Sequence, residues 1–337
     1  YSFIDYVLTG EAENTFPELL KALEEKDYDV MKKLDGMAFR GHNNVHVNVK
    51  HDFIPQVDDI PFINYNLINV NDYKMDTSNW YSPKGLEVGV PFPIISSRSC
   101  PQKCNFCSMW QTHGKTIRSR SPKNVVDEME KLYDNFGVRY FQFMDDNLTF
   151  EKFRTIEMCE EILKRKLDIQ FDTPNGVALN KLDREIIDAL VKAGLIRISI
   201  AIESGSEYIR SRVIKKGLPT KTIYENTNIL AEYNKLFINA FFIAGFPEET
   251  HSTLNETYKM IRELPLDKFF VAFPAPYPGT RLFQFCIDNK IDEIYYAMGM
   301  NEDNIIHELI SFSDKCPFCI ILSGPTLSLL STPFLKS

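Results

Sequence analysis

Basic residues are outnumbered in this 337-residue chain: 38 Lys and Arg stand against 46 Asp and Glu, for a formal net charge of −8. No stretch gathers Lys and Arg into a stripe, which argues against a broad nucleic-acid footprint, and no nucleic-acid partner is expected. Paired cysteines are also missing. The seven cysteines show no regular spacing of the kind a disulfide framework needs, so a reducing compartment, the cytoplasm, and metal chemistry are expected instead. No charged and apolar leader opens the chain; residues 1–9 read as a strand, and the chain is expected to begin inside a longer protein. Only one uncharged stretch, 316–335, approaches the length of a membrane span. Pro317, Pro325 and Pro333 interrupt it, so it reads as an irregular tail and no membrane association is expected. Internal repeats and low-complexity tracts are lacking too.

What is present is a recurring unit. With 44% hydrophobic residues, the chain can bury one large core, or a core with a small satellite. From about residue 90 to 290, a short apolar run rich in β-formers is followed by an amphipathic helical pattern, six times over, which predicts parallel βα units. The predicted strands are 91–97, 140–145, 169–173, 196–203, 237–244 and 269–274. Most lack alternation, as strands covered on both faces do. Predicted helices include 122–135, capped by Ser121, and 183–193, stopped by Gly194. Six such units fit a barrel, closed or incomplete, better than a long open sheet. Before them, 1–35 reads as a separate βα piece with its helix over 16–34, and a hairpin-like segment lies at 45–49. A linker rich in Pro and Asp follows, and the domain boundary is set there.

Cys100, Cys104 and Cys107 carry the chemistry. Thiolates spaced C-x3-C-x2-C can hold three irons of a [4Fe-4S] cluster and leave the fourth without a protein ligand, open to a small molecule. The alternative is a Cys3His zinc knot completed by His113. In parallel barrels the site forms at the carboxyl ends of the strands, and distinctive residues stand at five such ends. They are the cysteine loop, Asp145-Asp146-Asn147, Glu203-Ser204-Gly205-Ser206, Gly245 to Thr250, and Tyr277 to Thr280. Each has a plainer reading. Asp145 to Asn147 can be a strand-end turn with a helix cap, Gly205 and Gly279 turn residues, and Tyr277 packing. Glu203 resists one, because a carboxylate ending an apolar strand needs a buried partner or a ligand. Arg118 and Arg120 can form a solvated face or hold an acidic substrate. Cys159 and Cys286 read as core thiols. Cys316 and Cys319 form an isolated C-x-x-C pair to which no role is given.

The cysteine loop, with Phe106 just before the last cysteine, resembles the defining motif of the radical S-adenosylmethionine (SAM) enzymes. Arg98-Ser99-Cys100, Asp145-Asp146-Asn147, Ile202 to Ser206, Gly245-Phe246-Pro247 with Glu249-Thr250, and Tyr277 to Thr280 resemble successive blocks of the subgroup that usually carries an N-terminal cobalamin-binding domain. Ser99 stands where that subgroup commonly has Gly, and Ala201 likewise. The resemblance implies a fold: an α/β chain with a partial (β/α)6 TIM-type barrel over 88–290, preceded by the end of a Rossmann-like cobalamin-binding domain over 1–35. A linker over 36–87 and a C-terminal extension over 291–337 complete it. It also implies that SAM chelates the open iron and is reductively cleaved to a 5'-deoxyadenosyl radical that abstracts a substrate hydrogen. Asp145 and Asp146 would then meet the methionyl amine, Glu203 and Ser204 the ribose or carboxylate. Gly245 would let backbone approach the adenine, and Phe106 would shield the cluster.

The expected cofactors are thus a [4Fe-4S] cluster and SAM, with cobalamin in a longer parent protein. None of the six histidines lies in the Asp-x-His-x-x-Gly pattern that supplies the lower cobalt ligand in some members. The expected partners are a small-molecule or natural-product substrate and an electron donor such as flavodoxin or ferredoxin. Methyl transfer to an unactivated carbon is the first reading, cyclisation or rearrangement the second. A methylthiotransferase is disfavoured by the lack of a second cysteine trio. A non-catalytic iron-sulfur or zinc-binding protein is the alternative of another class.

Overall fold

A computed structural model describes residues 4–41, 45–73, 91–291 and 322–323. The N-terminal unit is small. Strand β1 (Tyr6–Leu8) is followed by helix α1 (Thr15–Glu25), helix α2 (Tyr28–Met31), β2 (Met37–Arg40) and β3 (Val45–Val47). The single helix expected over 16–34 is two helices, because Lys26 takes the left-handed conformation (φ 56) and ends the first. Asp27 then caps the second, accepting the Asp29 and Val30 amides. Both β1 and β3 pair antiparallel with β2, so residues beyond 35 share one sheet with the βα piece. Leu19, Ala22, Met31, Leu34 and Met37 form its core.

The main body begins with β4 (Pro91–Ile94), the ribbon strands β5 (Ser97–Arg98) and β6 (Arg118–Ser119), and helix α3 (Met109–His113) between them. It continues α4 (Pro122–Phe136), β7 (Tyr140–Phe143), α5 (Lys152–Lys164), β8 (Gln170–Val177), α6 (Arg184–Lys192), β9 (Leu195–Glu203), α7 (Thr220–Ala231), β10 (Phe237–Ile243), α8 (His251–Glu263), β11 (Lys268–Ala272) and α9 (Arg281–Asp288). All six predicted strands are present. They pair in parallel in the order β4-β7-β8-β9-β10-β11, extended by the short β12 (Leu322–Ser323). Among the described residues β4 and β12 do not pair with each other, so the array they form is a partial barrel. The expected end signals hold as well: Ser121 accepts the Asn124 amide, and Gly194 follows α6 at φ 112. Asp183, expected as the first residue of that helix, instead caps it by accepting the Ile186 amide.

Alternation sorts the two faces of this sheet. Phe141 and Phe143 of β7, Ile198, Ile200 and Ile202 of β9, and Ile238, Ala240 and Phe242 of β10 join helix residues such as Val126, Met129, Ile162 and Ile187 in the main core. The intervening residues face the concave side. Tyr140, Gln142, Asp172, Ser199 and Asn239 are polar there and nonetheless buried, so they bond to one another. Asp172 accepts from Tyr140 at 2.7 Å and from Gln142 at 3.3 Å, and Asn239 donates to Ser199 at 3.2 Å. Burial pushes the Asp172 carboxyl up to about 6.

Cys316, Cys319 and the uncharged stretch 316–335 lie outside the described residues, apart from β12. Among those residues, no helix is long and apolar enough to cross a membrane.

Candidate active site

The cysteine loop follows β4 and β5 and is clamped by three hydrogen bonds at one residue. Asn105 donates its amide to the Ile214 carbonyl at 2.9 Å and its side-chain Nδ2 to the Val213 carbonyl, and its own carbonyl accepts the Leu282 amide at 3.1 Å. The loops after β4, β9 and β11 are thereby joined between the second and third cysteines. Cys104 and Phe106 pack against Ile209, Ile214, Phe246, Leu282 and Cys286, with the Phe106 and Phe246 rings 5.6 Å apart. Asn147 Nδ2 lies 3.8 Å from Cys100 Sγ. Burial pushes the Cys104 thiol up to about 12, Lys216 opposing it, and raises Cys107 in the same direction.

The two aspartates after β7 diverge. Asp145 turns inward, fully buried, and accepts the Ser96 hydroxyl at 2.7 Å, the Ser97 hydroxyl at 2.5 Å and the Ser96 amide at 3.1 Å. It pins the end of β4 to the end of β7; burial still pushes its carboxyl upward against those donors. Both its oxygens are engaged by the protein, so Asp145 orders the site from behind. Asp146 faces the cysteine loop, where one oxygen accepts the Ser99 amide and lies 3.0 Å from His113 Nδ1.

At the end of β9 the register shifts, and Glu203 takes φ 72. Its carboxylate pairs with Lys216 Nζ at 2.8 Å, both side chains being more than nine-tenths buried. Ser204 is buried and occupied in the turn, accepting the Ser206 amide at 3.2 Å and facing Thr257 Oγ1 at 3.3 Å. A π-helical turn, Ile209–Val213, follows. It carries Arg210, fully buried, which donates to the Ser204 and Leu218 carbonyls and to Thr220 Oγ1 at 2.5 to 3.0 Å, fixing the loop's shape. After β10, Gly245 has φ 104, a conformation that suits glycine. Its amide and that of Phe246 donate to Glu249 Oε2 at 2.6 and 3.2 Å. Among the described residues Glu249 Oε1 has no hydrogen-bond partner, and burial pushes this carboxyl up to about 7.

Comparison with known proteins bears on this arrangement. Residues 94–261 match the family model described as the Radical SAM superfamily. The chain belongs to the radical SAM superfamily. An uncharacterized methyltransferase of Pyrococcus horikoshii is 31% identical over 291 residues, 86% of this chain and 59% of that protein. An anaerobic magnesium-protoporphyrin IX monomethyl ester cyclase of Cereibacter sphaeroides is 32% identical over 285 residues, 84% of this chain and 44% of that protein. Among solved structures, the radical SAM methyltransferase TsrM from Kitasatospora setae, with cobalamin and a [4Fe-4S] cluster bound, superimposes with a TM-score of 0.65 at 17% identity. That superposition covers 85% of this chain and 56% of TsrM, and it speaks to the fold. The chain spans about half the length of the curated relatives it matches.

Radical SAM enzymes use a [4Fe-4S] cluster and SAM, and the cysteine loop fits such a cluster by its chemistry. Of its three soft donors, Cys104 sits against an apolar wall, and the Asn147 amide faces the Cys100 sulfur. Among the described residues, no three His, Cys, Asp or Glu side chains converge on one point as ligands of a single ion would. His113, the fourth ligand of the zinc alternative, turns its Nδ1 to Asp146.

Sequence reasoning missed Asn105, His113 in this role, Arg210, Lys216 and Glu249. Asn105 lay inside the cysteine motif and Glu249 inside the Gly245 to Thr250 block, but neither had been given a role, and Arg210 and Lys216 lay in no motif. Arg118 and Arg120 are resolved by the structure: they pair with Glu11 and Glu128, each at 2.6 Å.

Proposed function

We propose that this protein reductively cleaves SAM at a [4Fe-4S] cluster held by Cys100, Cys104 and Cys107, and uses the resulting 5'-deoxyadenosyl radical chemistry for cobalamin-associated methyl transfer to an unactivated carbon. The observation that carries the reading is the cysteine loop at the carboxyl ends of a parallel βα array, walled by Phe106 and Phe246 and flanked by Asp146 and Glu203. When bound, the cluster supplies one electron to the sulfonium and an iron that chelates amine and carboxylate.

The chain's own groups divide the remaining work. Asp146, beside the cysteine loop, is suited to the methionyl amine, and Glu203 to a hydroxyl pair. Lys216 neutralises Glu203 where burial would otherwise disfavour its charge. Gly245 leaves room for a flat ring, and the Phe106–Phe246 pair keeps water from the sulfurs. Asp145 and Ser204, engaged within the protein, position their neighbours. The N-terminal unit is read as the end of a cobalamin-binding domain belonging to a longer protein, with barrel residues 88–290 after it. A small-molecule substrate and a flavodoxin- or ferredoxin-type electron donor complete the reaction, in the cytoplasm. Methyltransferases among the relatives support methyl transfer; the cyclase, at 32% identity, supports radical cyclisation as a second reading.

Anaerobic reconstitution with iron and sulfide, then dithionite and SAM, tests the core of this reading. Formation of 5'-deoxyadenosine is expected, and a reconstituted cluster that yields none overturns it. Product mass separates the two finer readings, since only methylation adds one methylene.

A further inference from the structure

Ser99, immediately before the first cysteine, holds its backbone at φ 74 with its side chain fully buried. A residue other than glycine stays in that region only where its surroundings hold it. Two bonds do so here. The Ser99 amide donates to Asp146 Oδ2 at 3.0 Å, and its hydroxyl donates to the Gly114 carbonyl at 2.7 Å. The Asp146 oxygen that accepts the amide also lies 3.0 Å from His113 Nδ1. That oxygen therefore receives two hydrogen bonds when the proton of His113 is on Nδ1.

His113 is itself held through its backbone. Arg118 Nη2 donates to the His113 carbonyl at 2.5 Å, and the same guanidinium donates to both carboxylate oxygens of Glu11 at 2.6 and 2.7 Å. Glu11 is buried, accepts the Ile54 amide at 3.0 Å, and belongs to the N-terminal unit. A continuous set of bonds thus runs from that unit to the peptide bearing Cys100, and its parts come from residues 11, 99, 113, 118 and 146.

We propose that His113 is a positioning residue for the Cys100 thiolate, acting through Asp146 and the Ser99 amide, with Glu11 holding His113 in place through Arg118. The proposal rests on the cysteine loop holding a cluster. Removing the imidazole takes one of two donors from the Asp146 oxygen and lets the carboxylate turn. Ser99 then loses its amide acceptor and relaxes from positive φ, which rotates the peptide that aims Cys100. A cluster with only three protein ligands is sensitive to the aim of each one, and groups behind metal ligands commonly change affinity by about 10-fold or more.

The test uses the reconstituted protein and three variants: His113→Ala, His113→Asn, whose side-chain amide can still donate to Asp146, and Glu11→Gln. Iron release to EDTA and the electron paramagnetic resonance spectrum of the dithionite-reduced cluster are recorded for each. Expected are release about 10-fold faster and an altered spectrum for His113→Ala, recovery to near the parent for His113→Asn, and an intermediate rate for Glu11→Gln. In the apoproteins, hydrogen exchange of peptides containing Ser99 and Cys100 rises for His113→Ala and not for His113→Asn. Equal release and equal spectra for parent and His113→Ala overturn the proposal, as does an Asn variant as impaired as Ala. A parent that assembles no cluster overturns the cluster reading itself, and a parent that holds the cluster without making 5'-deoxyadenosine leaves the positioning result to be read separately.

Discussion

Lys216 Nζ and Glu203 Oε1 lie 2.8 Å apart at the end of β9, with side-chain exposures of 5% and 9%. A buried pair of this kind need not stabilise the fold relative to apolar residues, but breaking it leaves a charge without compensation. Lys216→Met strands the Glu203 carboxylate and is expected to cost roughly 3–5 kcal/mol. Combining it with Glu203→Gln should return much of that loss. Urea denaturation of the two single variants and the double variant checks this; additive losses would show that the residues do not act as a pair.

Glu249 makes stability depend on pH. Its carboxyl is at about 7 in the folded chain against an ordinary 4.5, because burial outweighs the Gly245 and Phe246 amides that favour its charged form. A folded value above the unfolded one means the folded state binds the proton more tightly. The stabilisation is present in full below pH 4.5 and is lost as pH rises through about 7. At 1.36 kcal/mol per pH unit, the advantage over Glu249→Gln should shrink by about 3 kcal/mol across that window. Denaturation midpoints of the two proteins at several pH values measure it, and parallel curves would remove Glu249 as the cause.

Most strands were legible because they are short runs rich in apolar β-formers bounded by turn residues. The buried polar alternates Gln142, Asp172, Ser199 and Asn239 were not, because the groups that satisfy them lie on neighbouring strands. The three cysteines were legible because their spacing is local. The groups that hold the cysteine loop were not, because their partners are distant: His113 meets Asp146 33 residues on, and Arg118 meets Glu11 107 residues back. Neither separation has a period. Asp145 and Asp146, adjacent in sequence, could not be told apart either; successive residues at a strand end turn opposite ways, so one is sealed inside and the other faces the cysteines. The helix expected over 16–34 failed on a local event at Lys26, a lysine in the left-handed region, where glycine or asparagine would have been the usual signal.

Loading the cysteines should release protons. Burial holds the Cys104 thiol up at about 12 and pushes Cys107 upward, while an iron ligand must be a thiolate. Cluster assembly is therefore expected to speed up as pH rises. Cys104→Ala, like Cys100→Ala or Cys107→Ala, should abolish the iron-sulfur absorbance. Cys159→Ala, in the main core between α5 and its neighbours, should leave iron content unchanged and cost about 1 kcal/mol of stability or somewhat more. Iron and sulfide assays with a visible spectrum decide it; full loading of Cys104→Ala would remove that residue from the ligand set.

Gly205 offers a test of how the β9 loop is seated. A Cβ there would lie 2.3 Å from Thr257 Cα and 2.5 Å from both the Glu256 carbonyl oxygen and the Thr257 nitrogen, all backbone of α8. No rotamer can relieve a clash with backbone, so the loop must move off the helix. The Gly205 amide donates to Thr257 Oγ1 at 2.8 Å, which fixes the loop at this close approach. Gly205→Ala is expected to cost roughly 1–3 kcal/mol or more and to displace Ser204 and Glu203 together. Calorimetry gives the stability change. SAM binding by the reconstituted variant, followed by isothermal titration, should weaken even though residue 205 bears no recognising group. An alanine variant with unchanged stability would mean that the loop has another seat, and Glu203 would then owe its position to Lys216 alone.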